Sequence, residues 1–228
     1  MNAIIEIEEL YKVYQVEARE VRAVDGVTLS IGEGEFTAVS GSPGSGKATL
    51  LHLAGGLDAP TSGRLRVGGV DISLLSGSRL AAFRLRHIGF VFEAYSLIPV
   101  LTAKENVALV LELQGLSKGE IGRRAAELLQ AVGLGNCMDS RPARLSGGQQ
   151  QRVAVARALA SALRLVLACE PAAGLDEKSA QGLLSVMERL NRQEGATFIF
   201  FTRDPRIMAK ARRIITLESG KVVSDALQ

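Results

Sequence analysis

Apolar residues recur along this chain with two different periods. In "AIIEIEEL" (residues 3–10) and "VRAVDGVTLSI" (21–31) they alternate with polar ones, the pattern of antiparallel strands with one face exposed. "EFTAVS" (35–40), "RLVLAC" (164–169) and "ATFIFFT" (196–202) are short, nearly continuous apolar runs, which predict strands covered on both faces. "GKATLLHLAGGL" (46–57), "KGEIGRRAAELLQAVGL" (118–134), "GGQQQRVAVARALASAL" (147–163) and "DEKSAQGLLSVMERLNRQEG" (176–195) space their apolar residues as amphipathic helices do. The alternation predicts an α/β protein with a mainly parallel central sheet and an antiparallel β subdomain. From Ser76 to Arg144 the pattern is mostly helical, with no buried-strand run after "IGFVF". The expected organisation is one domain over 1–228, with a core of about 1–92 and 160–228 and a helical lobe of about 93–159.

Composition narrows the class. A chain of 228 residues, 47% hydrophobic and 22% charged, can bury a large core, which argues against disorder. The net charge of +3 is mildly basic and the arginines are scattered, so no nucleic acid partner is expected. Cys137 and Cys169 have no metal-like spacing, which points to a reducing compartment and to no resident metal. The first ten residues are acidic and alternating, unlike a secretory leader, and no apolar run approaches a membrane span. The expected location is cytoplasmic. His52 and His87 have no second ligand nearby in sequence and are read as structural or surface residues.

Candidate chemistry begins at "SGSPGSGKATLL", where a glycine-rich turn joins a buried strand to a helix. Gly41, Gly44 and Gly46 let the backbone curl, the amides of the turn (including Ser45) and the helix N-terminus suit a phosphate, and Lys47 can reach its outer oxygens. In the pattern G-x-x-x-x-G-K-[ST] the residue after the lysine carries a hydroxyl for Mg²⁺; here it is Ala48, followed by Thr49.

Downstream come "LSGGQQQR" from Leu145, "EPAAGLD" from Glu170 and "TRDP" from Thr202. With these motifs the chain resembles the ATP-binding subunits of ABC transporters, nearest to the lipoprotein-release and macrolide-export type, from about Ile5 to Val223. The resemblance implies a P-loop nucleotide-binding fold of the ABC ATPase type. It also implies a dimer, with self or a related ATPase subunit, that sandwiches ATP between one phosphate loop and the other chain's signature, Ser146, Gly147, Gly148 and Gln149. Closure would drive a membrane-spanning transporter subunit, which places the chain on the inner face of the cell membrane. Tyr14 stands where the family stacks adenine, and Glu170 where it has the catalytic carboxylate.

Four positions depart from the family pattern: Ala48 for the Mg²⁺-binding hydroxyl, Cys169 for the aspartate that supports Mg²⁺, Glu93 for a glutamine, and Arg203 for a histidine at the γ-phosphate. A thiol suits Mg²⁺ poorly, and Cys169 reads better as a small apolar residue at a strand end. Against the family pattern the four changes leave one extra positive charge. Losing one well-placed electrostatic contact costs about a hundred- to a thousand-fold in rate. The expectation is therefore a subunit that is not an enzyme. It keeps dimerisation and docking on the membrane partner, binds ATP weakly with impaired Mg²⁺ binding, and retains Glu170 in an unproductive form. The alternatives are an active ATPase subunit powering export or lipoprotein release, with Glu93 and Arg203 compensating, or the inert half of an asymmetric ATPase pair. A DNA-repair ATPase of the chromosome-maintenance type needs a long coiled-coil insertion, for which this chain has no room.

Overall fold

The computed structural model describes residues 2–17, 19–160 and 165–228. The expected continuation of the helix through Leu163 and the start of the next strand at Arg164 lie outside the described residues. The chain forms two compact units, Met1–Arg84 with Ile199–Gln228, and Leu85–Phe198.

In the first unit, β1 (Ala3–Val16) pairs antiparallel with β2 (Arg19–Gly32) and, on its other side, with β4 (Ser62–Val67), which is followed by the short β5 (Val70–Asp71). The register sets Ile5 opposite Ile31 and Val67, and Ile7 opposite Leu29 and Leu65. Because side chains alternate between faces, that register puts these buried residues on one face of the sheet and leaves Glu6, Glu8, Arg64 and Arg66 outside the core. The buried face packs against Val39 of β3 (Phe36–Gly41), Leu50 and Ala54 of α1 (Lys47–Ala54), and Ile199 and Phe201. Strand β3 lies between β8 (Thr197–Phe201) and β9 (Arg213–Glu218). It runs parallel to β9, which turns back antiparallel into β10 (Lys221–Leu227). Phe36 and Phe200 meet edge to face at 4.7 Å, which fixes β3 against β8 at the base of the strand that leads into the glycine turn.

In the second unit, β6 (Ile88–Val91) and β7 (Leu165–Cys169) form a parallel pair, Ile88 opposite Leu165 and Val91 opposite Ala168. Helices α3 (Ala103–Leu113), α4 (Lys118–Ala131) and α5 (Gly147–Ala158) pack on one another, α5 also against β6 and against α6 (Glu177–Glu194). Apolar positions three and four apart bury one stripe of each helix, for example Val107 and Leu111 of α3 and Ala125 and Leu129 of α4. Three helices begin with reciprocal capping boxes, Thr102 with Glu105, Ser117 with Glu120, and Ser146 with Gln149. Helices α2 (Gly77–His87) and α7 (Pro205–Met208) complete the α/β fold. Among the described residues no helix is long and apolar enough to cross a membrane.

Candidate functional site

In the first unit the strand, turn and helix of "SGSPGSGK" follow one another as the glycine pattern requires. Strand β3 ends at Gly41 and α1 starts at Lys47, with Gly46 as its N-cap at φ 98°. A β-carbon on Gly46 would lie 2.2 Å from the carbonyl oxygen of Ala23, and one on Gly41 2.3 Å from that of Leu217, so a side chain fits at neither. The turn is pinned from outside by the N–H of Gly220, which donates to the Ser45 carbonyl at 3.0 Å, and from within by Ser45 N–H to Ser42 O at 3.1 Å. Helix α1 has no acidic residue in its first turn and no side-chain cap, so the positive end of its dipole is left for a ligand. Lys47 folds back across the turn and donates from Nζ to Gly41 O at 2.6 Å, Ser42 O at 3.0 Å and Ser45 Oγ at 3.4 Å. An ammonium held on loop carbonyls is positioned to exchange them for phosphate oxygens.

Tyr14, half-buried near the outer end of β1, donates from its hydroxyl to Asp58 Oδ2 at 2.7 Å. Burial and the hydrogen bond to Asp58 raise the Tyr14 pKa above its ordinary value. Arg203 is exposed just beyond β8, next to Thr202, whose N–H donates to Val39 O of β3 at 3.0 Å.

In the second unit Ser146 caps α5. Its Oγ accepts from Gln149 N–H at 3.3 Å, and Gln149 Oε1 accepts from Ser146 N–H at 2.9 Å. A β-carbon on Gly147 would lie 2.7 Å from the Tyr95 hydroxyl, and one on Gly148 3.0 Å from Ser179 Cβ, so both glycines admit close neighbours. Tyr95 belongs to the turn after β6 that carries Glu93, an exposed residue. Tyr95 and Ser96 take left-handed backbone, φ 57° and 52°, and their carbonyls accept from the Arg157 guanidinium of α5 at 3.1 and 2.6 Å. Gln151, also on α5, donates to Phe92 O at 3.2 Å. The signature helix therefore holds the Glu93 turn at several points along its length. Glu170, directly after β7, has φ 43°, a left-handed conformation worth about 1–3 kcal/mol of strain of the kind found at functional positions.

Position 48 offers no oxygen, and the half-buried Cys169 at the end of β7 offers sulfur, a soft ligand, where Mg²⁺ takes oxygen. Among the described residues no group of three or more His, Cys, Asp or Glu side chains could hold a metal ion.

Sequence reasoning missed Lys12, Asp58, Tyr95 and Arg157. Asp58 is 44 residues from Tyr14 and Arg157 is 62 from Tyr95, and no motif connects either pair.

A sequence model of the ABC transporter family matches residues 24–173. A lipoprotein-releasing system ATP-binding protein from Anaeromyxobacter dehalogenans is 44% identical over 222 residues, 97% of this chain and 93% of that protein. A macrolide export ATP-binding/permease protein from Hyphomonas neptunium is 44% identical over 223 residues, 98% of this chain and 34% of that protein. The chain spans about a third of the length of the macrolide-export relatives it matches. Among solved structures, the ATP-binding cassette MJ0796, in a dimeric post-hydrolysis state bound to ADP and Pi, superposes with a TM-score of 0.88 at 36% identity over 98% of each chain. These findings correct one expectation, that the chain is not an enzyme. A cassette this similar over its whole length is seen after hydrolysis, and substitutions at four positions do not outweigh that likeness. The pinned turn, Lys47 and the capped α5 are all formed, and the geometry shows no defect in them.

Proposed function

The chain belongs to the ABC transporter family, and from that premise we propose that it binds and hydrolyses ATP as the motor subunit of a membrane-spanning partner. The supporting observation is the phosphate loop, with α1 uncapped and Lys47 folded over the carbonyls it would give up to phosphate. In this reading the amides of Gly41, Gly44, Ser45 and Gly46 and the Lys47 ammonium hold the phosphates, and Tyr14 and Thr49 lie on the nucleoside side. Ser146, Gly147, Gly148 and Gln149 address the γ-phosphate bound by a second subunit, itself or a relative. Glu170 accepts the proton of the attacking water, and Arg203 adds positive charge where the family has a neutral histidine. Because Ala48 and Cys169 do not fit Mg²⁺, the dependence on that ion is weak. The whole chain acts as one nucleotide-binding domain, with a core of about 1–92 and 160–228 and a lobe of about 93–159. Relatives that release lipoproteins or export macrolides suggest a partner of that type, with this subunit on the cytoplasmic face.

The test is phosphate release by the purified chain beside Lys47→Ala and Glu170→Gln. The reading requires turnover that both substitutions remove; equal release from wild type and Lys47→Ala would overturn it.

A further inference from the structure

Three side chains of the first unit, Lys12, Tyr14 and Asp58, join the outer end of β1 to the last turn of α1. Tyr14 Oη donates to Asp58 Oδ2 at 2.7 Å. Lys12 Nζ donates to Asp58 Oδ1 at 2.7 Å and to Ala59 O at 2.7 Å, and lies 4.9 Å from the centre of the Tyr14 ring. Asp58 is held in turn by the far end of α1, its N–H reaching His52 O at 3.2 Å. Lys12 and Asp58 are largely covered, with side-chain exposures of 14% and 30%.

Each contact restricts the tyrosine. The hydroxyl, held by Asp58, fixes the end of the ring, and the Lys12 ammonium lies over the ring as a cation–π partner. Burial pushes the Asp58 carboxyl up, but hydrogen bonds from Lys12, Tyr14 and the Ala59 N–H outweigh it and hold the group below the usual carboxylate range, so it stays ionised at neutral pH. The same ammonium that crosses the ring therefore also neutralises the charge beside it.

We propose that Asp58, with Lys12, is a positioning residue for the nucleotide base, locking Tyr14 to the helix that begins at the phosphate loop so that base platform and phosphate cradle keep a fixed spacing. This rests on the reading of Tyr14 and the loop given above. A fixed aromatic platform removes the ordering cost that a free side chain would add on binding, so the device acts on the base-dependent part of the affinity alone.

Calorimetric titration of the full chain with ATP and with inorganic tripolyphosphate separates the two parts, because tripolyphosphate has no base. For Asp58→Ala the expected result is an ATP Kd raised about tenfold, the value of one hydrogen bond to a charged group, with the tripolyphosphate Kd unchanged. Unchanged tripolyphosphate binding also shows that the variant folds. Asp58→Asn, which keeps an acceptor for Tyr14 but loses the partner charge of Lys12, falls between Asp58→Ala and wild type. An Asp58→Ala variant that binds ATP like wild type, or weakens both ligands equally, overturns the proposal. Tyr14→Ala identifies the level of failure. If it binds ATP as well as wild type, or if wild type binds neither ligand, the reading of the site fails and takes the proposal with it. If Tyr14→Ala weakens ATP and Asp58→Ala does not, only the positioning role falls.

Discussion

Replacing Arg157 with methionine keeps the aliphatic stem in the α5 packing and removes only the guanidinium. That group donates to Ser96 O at 2.6 Å and Tyr95 O at 3.1 Å and is largely desolvated, with its pKa lowered by burial. A hydrogen bond from a charged donor contributes roughly 1.5–3 kcal/mol. Ser96 is exposed, so water replaces most of that bond, whereas Tyr95 is half-buried. Left-handed backbone costs roughly 1–2 kcal/mol per residue, and this strain at Tyr95 and Ser96 relaxes once the turn is released, offsetting part of the loss. The net expectation is a destabilisation of about 1 kcal/mol, or about 2–4 °C in Tm for a chain of this size. Thermal melting gives the global effect, and hydrogen exchange of the amides from 92 to 97 gives the local one, where protection falls more than in α4. Arg157→Lys restores part of both. If Arg157→Met melts within about 1 °C of wild type and the turn exchanges no faster, α5 does not hold the Glu93 turn and the linkage is wrong.

Three further outcomes follow from the geometry. Gly46→Ala places a β-carbon 2.2 Å from Ala23 O at φ 98°, so ATP affinity measured by titration falls at least tenfold even where the protein remains folded. Ser146→Ala removes one half of the α5 capping box and lowers stability by about 1 kcal/mol in urea unfolding, whereas Ser146→Asp retains the cap. Hydrogen bonds from Arg206 hold Asp204, and from Arg213 hold Asp225, below the usual carboxylate range. Because their folded pKa values are depressed, their stabilisation is present above the unfolded value of about 3.9 and is lost as pH falls through the folded values, so below about pH 4 the Tm of wild type drops more steeply than that of Asp204→Asn with Asp225→Asn.

Contiguous signals were the legible part of this fold. Phe36, Thr37, Ala38 and Val39 are all buried, so β3 reads as a continuous apolar run, and the glycine turn after it declares the start of α1. The Ser146 cap and the apolar stripe of α6 were equally local. Strand β4 was missed because its first three residues are exposed and only Leu65 and Val67 are buried, and β10 because nearly all of it is exposed. The outer end of β1, from Tyr11 to Val16, was missed because its residues alternate less clearly between core and solvent. The contacts that fix Tyr14 and the Glu93 turn join residues far apart in sequence, and nothing in the types of Asp58 or Arg157 marks them before the chain folds. The four substituted positions were legible as departures, but their consequence for turnover was not. The sequence shows which donor changed, and rate depends on how the remaining charges act together.

The measurement that bears most directly on the account is phosphate release by the purified chain across a Mg²⁺ titration, beside Lys47→Ala and beside a variant carrying Ala48→Ser and Cys169→Asp. The account predicts turnover above the Lys47→Ala level that responds weakly to Mg²⁺, and a steep Mg²⁺ dependence at lower concentration once the two oxygen donors are introduced. Turnover no higher than that of Lys47→Ala at every Mg²⁺ concentration would contradict it.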